Sequence, residues 1–307
     1  MSFIDLHCDT ASLIFENKTH LNRNDYHVDI QKMKASHYLA QWFAFFINVK
    51  ALEDKHPFSY LKEMYDYFKA EVEANSEQIS IVSSYKEYLN CKASHKIAAF
   101  LSLEEGEVIA QEENPLEKLV QLGITMMTLT WNYSNTWGAP HSVLQGLTSK
   151  GCELIEGLNS TSILLDVSHL SESAFKDIVK LYKKPIIASH CNARGVYNHT
   201  RNLTDEAMRV IAESGGLIGT NFYSDFLNQS HYTSVEDLLR NISYVYNQVG
   251  EDVLAIGTDF DGMNCKLEVC NCGEMDKLMD SMTRILPMRV IEKICYSNAE
   301  RIIRENL

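Results

Sequence analysis

Apolar residues fall into two kinds of pattern along this chain. Short, nearly unbroken runs occupy residues 3–9, 38–49, 96–103, 124–130, 163–168, 185–189, 217–222 and 253–258. Runs of this length without polar alternation predict strands buried on both faces, as in a parallel sheet. Between most of them lie segments whose apolar positions recur every three or four residues, the helical period. In 57–76 these are Tyr60, Leu61, Met64, Tyr67 and Phe68; beyond Ser171 they are Ala174, Phe175, Ile178, Val179 and Tyr182. Helices are also expected over 84–89, 115–122 and most of 275–306. Ser171 and Thr204 stand where N-caps belong, Thr233 and Glu236 fit a capping box for a helix reaching Val249, and Gly123 and Gly215 stand where helices end. Residues 12–36 and 133–149 are polar and irregular and read as loops.

The stretch 162–202 organises the rest. It reads as strand, His169, helix, strand, His190, loop. Two buried strands joined by a helix lie parallel and adjacent, so both histidines sit at the carboxyl ends of neighbouring strands. On that face parallel α/β folds build their sites. Eight such strands, most separated by helix-length segments, in 307 residues predict a (β/α)₈ TIM-type barrel over 1–307 as one domain. A doubly wound sheet is the competitor, but it would scatter the strand-end polar residues along an open edge.

Composition narrows the function. A net charge of −13 argues against a nucleic-acid partner, which needs a basic face. No run approaches a membrane span, and MSFIDLHCDT lacks the basic and apolar regions of a signal peptide, so a cytoplasmic protein without a membrane partner is expected. The eight cysteines are then expected to be reduced, and the cluster Cys265, Cys270, Cys272 reads as a cysteine-bearing loop. The apolar helix faces are accounted for by barrel packing, which leaves the oligomeric state open, a homodimer included.

Barrel closure would bring together the polar residues at the strand ends: His7 and Asp9, Glu104, His169, His190 and Asp259. Three histidines with carboxylates suit Zn²⁺, with Mn²⁺, Co²⁺ or Fe²⁺ also compatible. Even without Asp259 the donors exceed what one tetrahedral zinc needs, which suggests two cations with a carboxylate such as Glu104 between them. Such a pair acidifies a shared water and polarises a carbonyl, the equipment of metal-assisted hydrolysis. Asp259 is then left to shuttle a proton. Glu105 beside Glu104, and Asp261 beside Asp259, are alternatives at their positions.

The motifs DLHCDT, SLEEGE, MTLTWN, LLDVSHLSESAF, PIIASHCNARGVYNHTRNLTDE and IGTDFDG, in this order from Asp5 to Gly262, resemble the membrane (renal) dipeptidase family of zinc peptidases, in the amidohydrolase-like barrel superfamily. The resemblance implies two zinc ions. His7 and Asp9 match ligands of one, His169 and His190 those of the other, and Glu104 the bridging carboxylate. Arg201 matches the arginine that engages the substrate's terminal carboxylate, and Asp259 the proton-handling aspartate. The chain departs from the family at the end of the fourth strand, where animal members carry a substrate-binding histidine. Here Trp131 and Asn132 occupy the place, and an indole donates only one hydrogen bond. Asn132 could take over oxyanion stabilisation.

The implied function is a di-zinc dipeptidase in which a metal-bridging hydroxide attacks the peptide carbonyl, with tolerance of a D-residue at the C-terminal position. The alternatives are hydrolysis of another amide, such as a cyclic imide or lactam, and a non-catalytic binder built on the same barrel.

Overall fold

A computed structural model describes all of residues 1–307. In chain order its strands are β1 (Phe3–Cys8), β2 (Tyr38–Phe46), β3 (Ile79–Ile81), β4 (Ile97–Glu104), β5 (Ile124–Thr128), β6 (Leu164–Asp166), β7 (Ile187–Ala188), β8 (Leu217–Thr220), β9 (Tyr232–Thr233), β10 (Leu254–Ile256) and β11 (Lys266–Leu267). Eight of them run parallel in the order β2-β1-β10-β8-β7-β6-β5-β4, and β2 pairs back with β4 to close a (β/α)₈ barrel. These eight are the eight apolar runs of the sequence. The closing seam is long: Ala40 to Phe46 pair in unbroken register with Ala98 to Glu104. The sequence pattern does not reveal β3, which pairs with residues 97–99 of β4, ahead of the stretch that β5 covers.

Burial explains why the strand runs show no alternation. One cluster of 17 buried residues takes alternate positions along the strands: Ile4 and Leu6, Ala40 and Trp42, Ala98 and Phe100. It fills the lumen, where Trp42 stacks on Phe100 at 4.4 Å, and Ala299, Ile302 and Ile303 of the last helix join it. The other strand face, with Phe43, Phe45, Leu101 and Leu103, packs against helix residues such as Leu61, Met64 and Phe68 in a cluster of 67. Both faces of the wall are therefore apolar below the mouth. In β1, Asp5 pairs with Gln41 and Cys8 with Phe43, so one strand advances three residues while the other advances two. This bulge lets Leu6 keep its place in the lumen while His7 turns into the mouth.

Local expectations are corrected in four places. Residues 12–36 are not all loop. Helix Thr10–Asn17 buries Ala11, Ile14 and Phe15, and helix Ile30–Ala35 is capped by Asp29, whose carboxylate accepts the Lys32 N–H at 2.8 Å. Both are too short to display a period. The helix expected over 84–89 runs on to Ala93, and a further helix, Ser149–Leu158, follows the 133–149 loop. The capping box is one residue later than expected, Ser234 with Asp237. Thr233 is taken by the β9 ladder, and its hydroxyl donates to the Phe222 carbonyl at 2.6 Å. No helix is long and apolar enough to cross a membrane.

Two glycines let the wall close beneath the mouth. A Cβ on Gly257 would lie 1.7 Å from the Ser189 carbonyl oxygen, and one on Gly219 would lie 1.9 Å from the same atom. Gly257→Ala must push backbone against backbone, at a cost of about 3 kcal/mol. Chemical denaturation should show that loss, whereas alanine at the unobstructed Gly250, whose φ is 86°, should cost about 1 kcal/mol or slightly more.

Candidate metal centre and active site

Each candidate side chain leaves the barrel at the carboxyl end of a strand. His7 lies near the end of β1 and Glu104 ends β4, while His169, His190 and Asp259 follow β6, β7 and β10. The structure brings all of them, with Asp9, to one place. His7 Nε2 is 3.1 Å from Glu104 Oε2 and 3.3 Å from Asp9 Oδ2. The other oxygen of Glu104, Oε1, is 3.1 Å from His169 Nε2 and 3.9 Å from His190 Nε2. The His7 and His190 rings stack with centroids 3.9 Å apart. Three donor groups, His7–Asp9–Asp259, Glu104–His169–His190 and His7–Asp166–His190, each have their donor atoms within 4.8 Å of one another.

The hydrogen bonds behind the rings decide what the front atoms can do. Asp166 Oδ1 accepts from the Ser168 and Ser189 N–H groups at 2.9 and 3.0 Å, and Oδ2 accepts from the Thr128 and Ser189 hydroxyls at 3.1 and 2.5 Å. The Ser189 hydroxyl has one proton and gives it to Asp166. It therefore accepts from His190 Nδ1–H, 2.7 Å away. Asn132 Oδ1 likewise accepts from His169 Nδ1–H at 2.9 Å. Both rings then present bare Nε2 lone pairs, and these face each other at 3.0 Å. His7 Nδ1 is buried with no hydrogen-bond partner, while its Nε2 faces Glu104 and Asp9. Facing lone pairs and an imidazole clustered with buried carboxylates together fit a cation-binding site; three imidazoles and two carboxylates are a zinc-type donor set.

Electrostatics agrees. Burial opposes charge on His7, but Glu104 and Asp9 outweigh it and hold the imidazole well above its usual range. Burial, with the neighbouring positive groups, pushes His190 well below it, and burial with Arg201 takes His169 down to about 4. Glu104 is lowered despite its burial, because it faces His7 and His169. Burial, reinforced by the Glu104 charge, raises Asp9. Asp259 is raised to about 6, by burial first and then by Glu104, against the opposing pull of His7 and the Asn221 hydrogen bond.

A cavity of about 390 Å³ opens over this cluster, bordered by Asp9, Glu104, His169, Asp259, Phe46 and Trp131 among others. Trp131 packs on Phe46 at 4.8 Å, and Asn132 also borders the cavity. Gly262 closes its edge, where a Cβ would lie 2.2 Å from Asp9 Oδ2 and 2.5 Å from Asp259 Oδ1. Arg201 is buried nearby, 5.6 Å over the Phe226 ring that borders the same cavity. His169 and Asp259 hold positive φ of 68° and 62°, a strain tolerated where a site fixes the backbone.

The two alternative carboxylates have their oxygens engaged by other loops, although Asp261 also borders the cavity. Glu105 accepts from the Trp131 N–H at 3.1 Å and from Asn135 at 2.6 Å, tying down the loop after β5. Asp261 accepts from the Thr10 hydroxyl and the His27 N–H at 2.6 and 2.7 Å. Sequence reasoning missed the supports Asp5, Asp166, Ser189 and Asn221. Asp5 holds the His7 N–H and both Thr258 donors, and Asn221 holds Asp259 at 2.9 Å. The signal for the two aspartates was present: each stands two or three residues ahead of a site histidine on its strand.

The family profile described as membrane dipeptidase (peptidase family M19) matches residues 1–306. An uncharacterized protein from the pqqA 5′ region of Klebsiella pneumoniae is 30% identical over 227 residues, 70% of this chain and 84% of that protein. Among solved structures, a family M19 metallopeptidase, dipeptidase AC, superposes with a TM-score of 0.92 at 24% identity, covering 100% of this chain and 98% of that one. A metallopeptidase from Rhodobacter sphaeroides, liganded with a phosphinate mimic of the dipeptide L-Ala-D-Ala, also gives 0.92, at 23% identity over 100% and 99% of the two chains.

Asp166→Asn removes an acceptor from the relay that orients His190. Zinc affinity, measured by competition with a fluorescent chelator, should fall about 10–100-fold, with the circular dichroism spectrum unchanged.

Proposed function

The chain belongs to the membrane dipeptidase family, peptidase family M19, and is a metal-dependent dipeptidase; from that premise and the geometry of its site we propose that it cleaves dipeptides at a centre of two zinc ions held by His7, Asp9, Glu104, His169 and His190. The observation that carries the reading is the split of Glu104, with one oxygen toward His7 and the other toward His169 and His190. A carboxylate placed so can serve two cations at once. Mn²⁺ or Co²⁺ would suit the same donors. When bound, the ions polarise the scissile carbonyl and make a water acidic enough to attack it near neutral pH. On this reading residues 1–307 act as one catalytic domain.

The protein's own groups supply the rest. Asn221 fixes Asp259 through Oδ2, leaving Oδ1 to take a proton from the attacking water and hand it to the departing amine. A carboxyl at the edge of the donor cluster, with one oxygen free, is placed for both steps. Asn132 engages His169 through its carbonyl oxygen, which leaves its amide N–H₂ for a substrate oxygen. Trp131 and Phe46 form an apolar wall of the cavity, and its volume of about 390 Å³ suits a short peptide. Arg201 is the group for the C-terminal carboxylate, by a charge-assisted fork. The dipeptide mimic bound by the Rhodobacter sphaeroides protein ends in D-Ala, which supports acceptance of a C-terminal D-residue here.

A dipeptide panel that includes L-Ala-D-Ala tests the reading. Release of amino acids should stop with chelator and return with zinc; folded, zinc-loaded protein that cleaves no member would overturn it. Asp259→Asn should lower kcat by about 10²–10⁴-fold with zinc still bound. Arg201→Ala should cripple dipeptide turnover and spare turnover of a neutral cyclic amide; equal loss on both would overturn the reading of Arg201 as the carboxylate site.

A further inference from the structure

Arg201 is a buried cation whose partners inside the protein are weak. It is 3% exposed. Nη1 lies 2.8 Å from Cys191 Sγ, Nη2 donates to the His190 carbonyl at 3.1 Å, and Nε has no partner. An unpaired guanidinium in such a place awaits an anion. The thiol that steadies it follows His190 directly and is 2% exposed, yet it is not sealed in. Cys191 and Arg201 both border a second cavity of about 430 Å³, between helices Glu172–Leu181 and Asp205–Glu213. His169 borders this cavity and the active-site cavity alike. Phe175, Val179 and Val210 give it apolar walls. Of its charged lining, Arg194 is paired with Glu172 and Lys180 with Asp177, which leaves Lys176 and Arg201 against Glu206, a small basic excess.

We propose that Cys191 is a thiol-modification site, reached through this second cavity by small anionic disulfides, and that its modification pulls Arg201 out of position for the substrate's carboxylate. The step is thiol–disulfide exchange. The Cys191 sulfur attacks one sulfur of the disulfide, whose S–S bond breaks as a new S–S bond forms to Sγ. The departing thiolate leaves with the electron pair and takes up the proton that Cys191 gives up. Cys191 is oxidised to the mixed disulfide and half of the reagent is reduced to thiol. The added group stands where Nη1 now lies 2.8 Å from sulfur, so the fork must move. The effect on catalysis rests on the reading of Arg201 as the carboxylate site; the reactivity of Cys191 does not.

The experiment uses the full-length zinc enzyme carrying Cys270→Ser, which removes the exposed thiol. It is treated with dithiodipropionate, a dianion, or with cystamine, a dication of similar length, and the label is mapped by mass spectrometry. Cys191 should react about tenfold faster with the anion. Labelled enzyme should show KM for a dipeptide raised about tenfold or more with a smaller change in kcat, reversed by dithiothreitol. Cys191→Ser, whose hydroxyl can still accept from Nη1, should keep KM nearer the parent than Cys191→Val does. Absence of label at Cys191, equal rates with the two reagents, or labelled enzyme of unchanged KM each overturns the proposal. Unlabelled enzyme that cleaves no dipeptide would instead overturn the proposed function, and the labelling rates would still be read.

Discussion

Two imidazole nitrogens, His169 Nε2 and His190 Nε2, face each other at 3.0 Å with their protons committed on the far side of each ring. Left alone, this contact is repulsive. It becomes favourable when a positive charge sits among the two nitrogens and the Glu104 oxygen beside them. The rest of the mouth is arranged to sustain it. Asp166 and Ser189 lock one ring, Asn132 locks the other, and the strand wall prevents either from turning away. A protein gains nothing in stability from aiming lone pairs at each other; their persistence here marks a place where stability yields to function.

Barrel closure makes the arrangement affordable. The eight parallel strands bury their lower halves on both faces, and that apolar mass supports a mouth rich in polar and strained groups. Asp5 and Asp166 are buried carboxylates, but each is saturated with backbone and hydroxyl donors and so pins neighbouring strands together. Gly219 and Gly257 let the backbones of β8 and β10 press against Ser189, the residue that holds the His190 ring. The positive φ at His169 and Asp259 falls at the two strand ends where direction matters most. Strain and unpaired polarity are thus concentrated in one layer, with close packing beneath it.

Legibility in the sequence follows the same division. The barrel strands could be read because a doubly buried strand is apolar at most positions on both faces. Glu104, His169, His190 and Asp259 could be placed because each directly follows such a run, and His7 because it lies near the end of the first. The helices Thr10–Asn17 and Ile30–Ala35 were hidden: six to eight residues hold barely two turns, and Asp29, the cap of the second, looks like any loop aspartate. The capping box slipped by one because Thr233 and Ser234 are equally good caps in isolation, and only the distant pairing of β9 with β11 decides between them. Glu105 and Asp261 could not be set aside from sequence, since their partners come from other loops.

Arg201, singled out in the sequence by its motif, has surroundings that the sequence does not reveal. The NHTRN motif identified the residue, but its position depends on a thiol ten residues earlier in the chain and on a cavity outside the barrel. A guanidinium held by a carboxylate would be neutralised and lost to substrate, because the internal pair would compete with the incoming anion. One held by a thiol and a carbonyl is steadied without being neutralised, so most of its field remains for substrate. That field reaches His169, where with burial it lowers the imidazole, and Asp259, where it opposes protonation. On the proposed reading, the weak internal partners of Arg201 leave it free for a substrate carboxylate, and through them a change at the Cys191 sulfur would reach the site.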